Sequence, residues 1–161
     1  GRIRFVVETV DAVVAAIGAA RTAIRVSPGH MFNDLVDEDP LATQRALLDA
    51  LPTASMAYVH IMLPDAFSAQ LNNAGDPTAV LPSLRPHVKG ALIAAGNLTA
   101  ASAQAMLDSG LIQAAVFGRP FISNPDLVER MQRGVPLAEP RADLFYTPGP
   151  EGYSDYPLLA A

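Results

Sequence analysis

Four short apolar runs, each followed by a segment with helical spacing, constrain the fold of this chain more than any other feature. The runs lie at residues 22–28, 56–63, 90–96 and 111–118. Near-continuous apolar strands that alternate with helices are typical of a parallel sheet covered on both faces. The sequence therefore predicts an α/β protein built from four successive strand–helix units.

Helical spacing and capping residues predict where the helices lie. A leading helix is expected before the first strand, with Gly18 as its stop. Asp39 and Thr99 are the expected N-caps of two later helices, and Gly110 ends the second of these. Helices are predicted at residues 4–17, 40–51, 77–88, 100–110 and 120–134, with an irregular Pro-, Gly- and Tyr-rich tail from residue 135.

Two architectures fit this order of elements. One is a small open doubly wound sheet, and the other is half of an eight-unit barrel. Counting units does not separate them. The leading helix has no strand before it, and the first residue is Gly rather than Met. Both features lead us to expect a partial product with a strand missing upstream.

Composition narrows the function. The 161 residues suit one domain, and the net charge of −5 argues against a nucleic-acid partner. No apolar run reaches the roughly 20 residues of a membrane-spanning helix. Without cysteine the sequence has no thiolate ligand or cysteine nucleophile, and its three histidines lack metal-site spacing. We therefore expect a cytoplasmic protein with no metal, no nucleic-acid partner and no membrane partner.

Small or polar residues stand at the carboxyl ends of three of the apolar runs. They form the stretches 25–28, 95–97 and 118–119. Because ligands of parallel α/β sheets lie at the carboxyl ends of the strands, these stretches are candidate binding residues. Gly96 and Gly118 would allow close backbone approach to a ligand. Arg119, at the start of a predicted helix, favours a phosphate.

Other interpretations of the same residues remain open. Gly96 and Gly118 also suit simple turns, and Arg119 also suits an exposed surface. Arg25 lies inside an apolar strand, so we expect it to contact a polar ligand or a carboxylate. His60, in the middle of a strand, is expected to be a core histidine with its hydrogen bonds satisfied. His30 lies near the proposed ligand end and could reach substrate.

Several longer stretches, taken together, resemble the old yellow enzyme family. This family consists of FMN-dependent ene reductases that consume NAD(P)H and are built on a TIM barrel. The resemblance covers nearly the whole chain, in order. It implies a single partial domain over residues 1–161, the C-terminal half of a (β/α)8 barrel. The stretches are RFVVETVDAVVAAIG, IRVSP, AYVHIMLP, FGRPFISNPDLVERMQRGVPLAEP and FYTPGPEGYSDYP.

The resemblance also implies roles for individual residues. Arg25 would face the pyrimidine edge of the flavin and stabilise its negative charge when reduced. Tyr146 would contact substrate, and Phe145 would lie near the flavin. The residues implied for the FMN phosphate are Ala95, Gly96, Asn97, Gly118 and Arg119.

The chain also departs from the family. The His-Asn or His-His pair that holds the substrate carbonyl and the tyrosine that protonates substrate precede the segment that begins with GRIRF, so no catalytic residue is assigned here. The run MLPDAF, residues 62–67, replaces the acidic-Pro-Arg pattern found in relatives.

The resulting expectation is an NADPH- or NADH-dependent FMN oxidoreductase that reduces activated alkenes such as enones and nitroalkenes. This chain alone would be inactive, and an N-terminal half or a second copy would close the barrel. The alternatives are a catalytically inactive half-barrel that needs a partner half, and another phosphate-binding TIM-barrel enzyme.

Overall fold

A computed structural model describes residues 1–30, 36–64 and 77–159. The chain forms two compact units, Gly1–Val116 and Phe117–Ala161, hereafter unit 1 and unit 2.

Unit 1 contains a four-stranded parallel sheet whose strands lie in chain order. A doubly wound sheet reverses its strand order at a switch point, whereas a β/α barrel adds each strand beside the last. The order therefore favours the barrel, and the prediction of four strand–helix units from a (β/α)8 barrel is confirmed. The strands are β1 (Ala23–Val26), β2 (Tyr58–Met62), β3 (Leu92–Ala95) and β4 (Ala114–Val116).

The helices of unit 1 begin close to the residues that the sequence predicts. The Asp39 carboxylate accepts from the Ala42 N–H at 2.9 Å. Thr99 and Ser102 form a reciprocal capping box, so both predicted caps are confirmed. The helices are α1 (Arg4–Ile17), α2 (Pro40–Ala50), α3 (Pro77–Leu84) and α4 (Ala100–Asp108), with 3-10 turns at Ala19–Arg21 and Arg85–His87.

The two faces of the sheet have different surroundings. Val26, Ile61 and Ala94 are paired across three strands, are buried, and belong to the core that packs with the helices. The adjacent row of paired residues lies on the opposite face, one position closer to the start of each strand. It consists of Arg25, His60 and Ile93, which are exposed or half-buried. Within the described residues the core thus lies on one face only, although the apolar strands predict cover on both. A barrel accounts for this difference, because its inner face is covered by strands across the barrel.

Unit 2 has two short helices where the sequence predicts one, so the predicted continuous helix over 120–134 is wrong. They are α5 (Arg119–Ser123) and α6 (Leu127–Arg133). Pro125 interrupts them because proline has no backbone N–H to donate. The buried Asn124 stabilises the break: its amide nitrogen donates to the carbonyls of Pro120 at 2.9 Å and Ala138 at 3.0 Å.

The tail of unit 2 is irregular, as predicted, apart from a 3-10 turn at Ala142–Leu144. Its end is held by a nearly buried ion pair on α6. Arg130 Nε donates to Asp126 Oδ1 at 2.6 Å, and Arg130 Nη2 donates to the Pro157 carbonyl at 3.0 Å. The Leu159 N–H donates to the other Asp126 oxygen at 2.6 Å. The last described residues are therefore fixed to the helix.

We expect Asp126→Asn to loosen the tail at neutral pH and to have little further effect in acid. The hydrogen bond from Arg130 holds the pKa of Asp126 below its usual value of 3.8. A carboxyl group with a lowered folded-state pKa stabilises the protein above its unfolded-state pKa, and this contribution is lost as pH falls through the folded-state value. Hydrogen exchange at the Leu159 amide, measured in the variant and the parent at neutral pH and at a pH well below 3.8, tests this.

The matched control is Glu129→Gln, which removes an ion pair to Arg133 whose carboxylate is 51% exposed. We expect it to leave exchange at Leu159 unchanged at both pH values. Equal protection of that amide in parent and Asp126 variant above pH 5 (about one unit above the unfolded-state pKa) would contradict the assigned role.

Candidate functional site

The carboxyl ends of three strands in unit 1 meet at the backbone of Leu63. The His30 ring, in the loop after β1, donates through Nε2 to the Leu63 carbonyl at 3.0 Å. The Leu63 N–H donates to the Ala95 carbonyl at 2.7 Å. The structure thus brings the predicted residue Ala95 and the candidate His30 to the same edge of the sheet.

Gly96 and Asn97 form a turn at this edge with unusual backbone angles. Gly96 has φ +118° and Asn97 has φ +46°. A Cβ at position 96 would lie 2.5 Å from the Leu63 carbonyl oxygen. Glycine is therefore required here both by its torsion and by close approach, but the approaching group is the neighbouring strand rather than a ligand.

The same turn presents two backbone donors. The N–H groups of Asn97 and Leu98 donate to no acceptor within the described residues. Successive N–H groups beside a left-handed residue form concavities that bind anions. The turn at residues 96–98 can therefore accept a phosphate through its main chain.

Unit 2 contains the second part of the predicted phosphate site, Gly118 and Arg119. Gly118 caps α5 with φ −99°, an angle open to any residue, so its backbone does not require glycine. Arg119 is exposed and makes no hydrogen bond or ion pair to a described residue. Its guanidinium is therefore available for an external anion.

Arg25 lies in β1 on the sheet face that the helices do not cover. It is exposed, and no described carboxylate contacts it. Ala95 lies on the same face two rows further toward the carboxyl edge, because its pairing partner Met62 follows His60 by two residues. With the usual strand spacing and rise, Arg25 and Ala95 are about 12 Å apart.

His60 pairs with Arg25 in the sheet register. Its Nε2 atom is buried and has no hydrogen-bond partner among the described residues, so the expected satisfied core histidine is wrong. Burial lowers the pKa of the His60 imidazole below its usual value of 6.5, and the positive charge of Arg25 lowers it further. The ring is therefore neutral at physiological pH.

Phe145 and Tyr146 follow the 3-10 turn of unit 2. Their rings meet edge to face, with centroids 6.5 Å apart and planes at 86°. Phe145 is half-buried, whereas Tyr146 is 96% exposed. The edge-to-face contact orients an aromatic side chain that is free to touch a ligand.

Within 1–30, 36–64 and 77–159, no three His, Cys, Asp or Glu side chains gather where they could hold a metal ion. No helix in these ranges is long and apolar enough to cross a membrane. Most of the departure from the family in the run 62–67 lies outside the described residues, since only Met62, Leu63 and Pro64 are described.

The two groups of unit 1 fit different parts of one ligand. The free amides of the turn suit a phosphate, and the uncovered Arg25 beside a neutral histidine suits the polar edge of a planar ring. These residues fit FMN, which carries both groups. Together, fold and site define a β/α-barrel protein whose strand ends offer donors to an anionic ligand.

Comparison with known proteins identifies the family. The model of the NADH:flavin oxidoreductase / NADH oxidase family matches residues 1–138. A probable flavin mononucleotide-dependent alkene reductase of Leishmania infantum is 38% identical over 158 residues, covering 98% of this chain and 41% of that protein. The 12-oxophytodienoate reductase 7 of Oryza sativa is 35% identical, over 98% of this chain and 43% of its own length.

Solved structures agree. Morphinone reductase in complex with tetrahydroNAD superposes with a TM-score of 0.84 at 40% identity, over 99% of this chain and 41% of that one. The old yellow enzyme from Trypanosoma cruzi gives 0.88 at 32% identity, over 99% of this chain and 41% of its own. The chain belongs to the old yellow enzyme family of NADH:flavin oxidoreductases, and it spans about two fifths of the length of these relatives. The resemblance is confirmed, and so are FMN and NAD(P)H as the cofactors of the family.

Sequence reasoning missed two participants in this site. Leu63 acts through its backbone, which no side-chain pattern reveals. The placement of His60 beside Arg25 depends on the pairing of β1 with β2, and the only signal in the sequence is one polar residue within each of these two apolar strands.

Proposed function

We propose that this chain supplies the FMN-phosphate-binding part of an oxidoreductase that reduces activated alkenes with NADPH or NADH. The observation that supports this most directly is the turn at Gly96 and Asn97, with its unpaired amides, in a chain of the flavin oxidoreductase family. Enones and nitroalkenes are the proposed substrates, since the relatives include a probable alkene reductase.

The proposed division of roles follows the chemistry of each group. The turn of unit 1 offers backbone hydrogen bonds to phosphate. In unit 2, the Arg119 guanidinium offers phosphate charge-assisted hydrogen bonds. Arg25 faces the pyrimidine edge of the ring and stabilises negative charge there. Phe145 contacts the flavin and Tyr146 the substrate. The phosphate-binding residues are Ala95, Gly96, Asn97, Gly118 and Arg119.

When bound, FMN supplies hydride transfer between the nicotinamide and the alkene. In the net reaction one hydride from NAD(P)H and one proton add across the C=C bond, and NAD(P)+ is released. The residues of this chain bind FMN and orient it. The groups that hold the substrate carbonyl and donate the proton are proposed to lie outside it, so no catalytic residue is assigned within residues 1–161.

The uncovered surfaces of unit 1 support a partner that completes the barrel. The inner sheet face is half-exposed, and α1 exposes Phe5 (78%), Val13 (39%) and Ile17 (43%). Parallel sheets are ordinarily covered on both faces, and open strand edges favour association. An N-terminal half, or else a second copy, is the proposed partner. A cytoplasmic location stays a prediction.

The main alternative is a catalytically inactive half-barrel. The reason to test it is that this chain covers 41% of the length of its relatives. Two preparations separate the possibilities. One is this chain alone, and the other is a completed barrel, in which this chain is joined to the part of morphinone reductase that it does not cover. Each is titrated with FMN and then assayed for NADPH oxidation with and without cyclohexenone.

We expect the completed barrel to bind FMN and to oxidise NADPH faster when the enone is present. The chain alone should bind FMN more weakly and show no enone-dependent oxidation. Tight FMN binding without any alkene-dependent oxidation would favour the inactive alternative. Failure of a folded completed barrel to bind FMN would refute the proposed function.

A further inference from the structure

Two polar groups that have no hydrogen-bond partner among the described residues lie side by side on the sheet face that the helices do not cover. Arg25 in β1 and His60 in β2 are paired residues in the parallel register, so their side chains leave the same face. Adjacent strands are about 4.8 Å apart. No hydrogen bond to a described residue involves the Arg25 guanidinium, and none involves the buried His60 Nε2.

The two groups are chemically complementary. A guanidinium only donates hydrogen bonds, whereas a neutral imidazole carries one nitrogen that accepts. Burial and the charge of Arg25 both lower the pKa of His60, so the accepting nitrogen is present at neutral pH. The other residues of this row, Ile93 and Ala114, are apolar. Within the row, His60 is the one side chain that can hold the guanidinium.

We infer that His60 is a positioning residue for Arg25: its Nε2 accepts a hydrogen bond from the guanidinium and fixes that charge beneath a bound flavin. This inference rests on the proposed function, because it assigns the polar edge of FMN to the space over Arg25. An arginine held in place loses less side-chain entropy on binding than a free one. Because the reduced flavin carries more negative charge than the oxidised form, a guanidinium fixed beside it stabilises the reduced form more.

The test uses the FMN-loaded completed barrel and measures the midpoint potential of the flavin, which reports the ratio of affinities for reduced and oxidised FMN. We expect His60→Leu to lower that ratio about tenfold, the equivalent of one charge-assisted hydrogen bond. His60→Gln keeps an acceptor near the position of Nε2 and should restore most of the ratio. Met62→Leu, on the same strand and face, is the matched control and should leave it unchanged.

The decisive comparison repeats His60→Leu in an Arg25→Met background. If His60 acts through Arg25, the second substitution has no further effect. An equal loss in both backgrounds would overturn the inference and indicate that Nε2 pairs with the strands that complete the barrel. The inference would also be overturned if His60→Leu leaves the midpoint potential unchanged. Absence of flavin binding in the unsubstituted protein would instead refute the proposed function, so the two failures are distinguishable.

Nitrogen NMR of the imidazole gives a second readout that does not depend on the stability of the leucine variant. We expect the Nδ1–H tautomer in the FMN-loaded protein, with an Nε2 resonance that shifts in Arg25→Met. An Nε2 resonance insensitive to that substitution, or one that carries the proton, contradicts the inference.

Discussion

Gly96→Ala should destabilise unit 1 and remove most of the affinity of the completed barrel for FMN. A side chain at φ +118° costs on the order of 1–3 kcal/mol in backbone strain. The added Cβ would also lie 2.5 Å from the Leu63 carbonyl oxygen, a backbone atom that cannot rotate away. The turn must therefore shift, and its two free amides shift with it. Urea denaturation and FMN titration measure the two effects.

Gly110→Ala is the matched control. Gly110 also has a positive φ, +71°, but no described heavy atom lies within 4 Å of the position of its Cβ. We expect a loss of about 1 kcal/mol in stability from strain alone and no change in FMN affinity. If Gly96→Ala resembles this control in both measurements, the turn is neither sterically constrained nor part of the cofactor site.

The second large effect is expected from Arg119→Gln, which should weaken FMN binding to the completed barrel by roughly 10- to 100-fold. Hydrogen bonds to charged groups contribute about 1.5–3 kcal/mol each, which corresponds to that range. Arg119 has no described partner in the protein, so its removal should leave the free energy of unfolding nearly unchanged. Arg119→Lys should lose less affinity, because it keeps the charge without the bidentate geometry.

Arg133→Gln is the control for Arg119. Arg133 is also in unit 2 and is 56% exposed, but it pairs with Glu129 on the surface of α6. The Arg133→Gln substitution should leave FMN affinity unchanged. FMN titrations at several salt concentrations test both variants. If Arg119→Gln binds FMN as tightly as Arg133→Gln does, Arg119 does not bind the phosphate. The alternative interpretation, an exposed surface arginine, would then be correct.

The sequence predictions succeeded where a feature is determined by residues close to it in the chain. The caps Asp39 and Thr99 act within one helical turn, so residue type and spacing were sufficient to find them. The four strands were found as well, because each is a compact apolar run. The break at Asn124 and Pro125 was missed although proline signals it, since the helical spacing on both sides was given more weight.

Features that depend on register were beyond the sequence. His60 lies beside Arg25 because β1 and β2 pair with an offset of 35 residues, and the pair Val26 and Ile61 has the same offset on the other face. The requirement for glycine at position 96 likewise comes from the Leu63 carbonyl on an adjacent strand. Pairing of this kind is set by the whole sheet and not by neighbouring residues.

The anchoring of the tail has a practical consequence for enzyme engineering. Ala138 is bound to Asn124 at one end, and residues 157–159 are bound to α6 at the other. The intervening segment, which carries Phe145 and Tyr146, is therefore held at both of its ends. If Tyr146 contacts substrate as proposed, segments from relatives grafted there should alter substrate preference while both attachment points are left untouched.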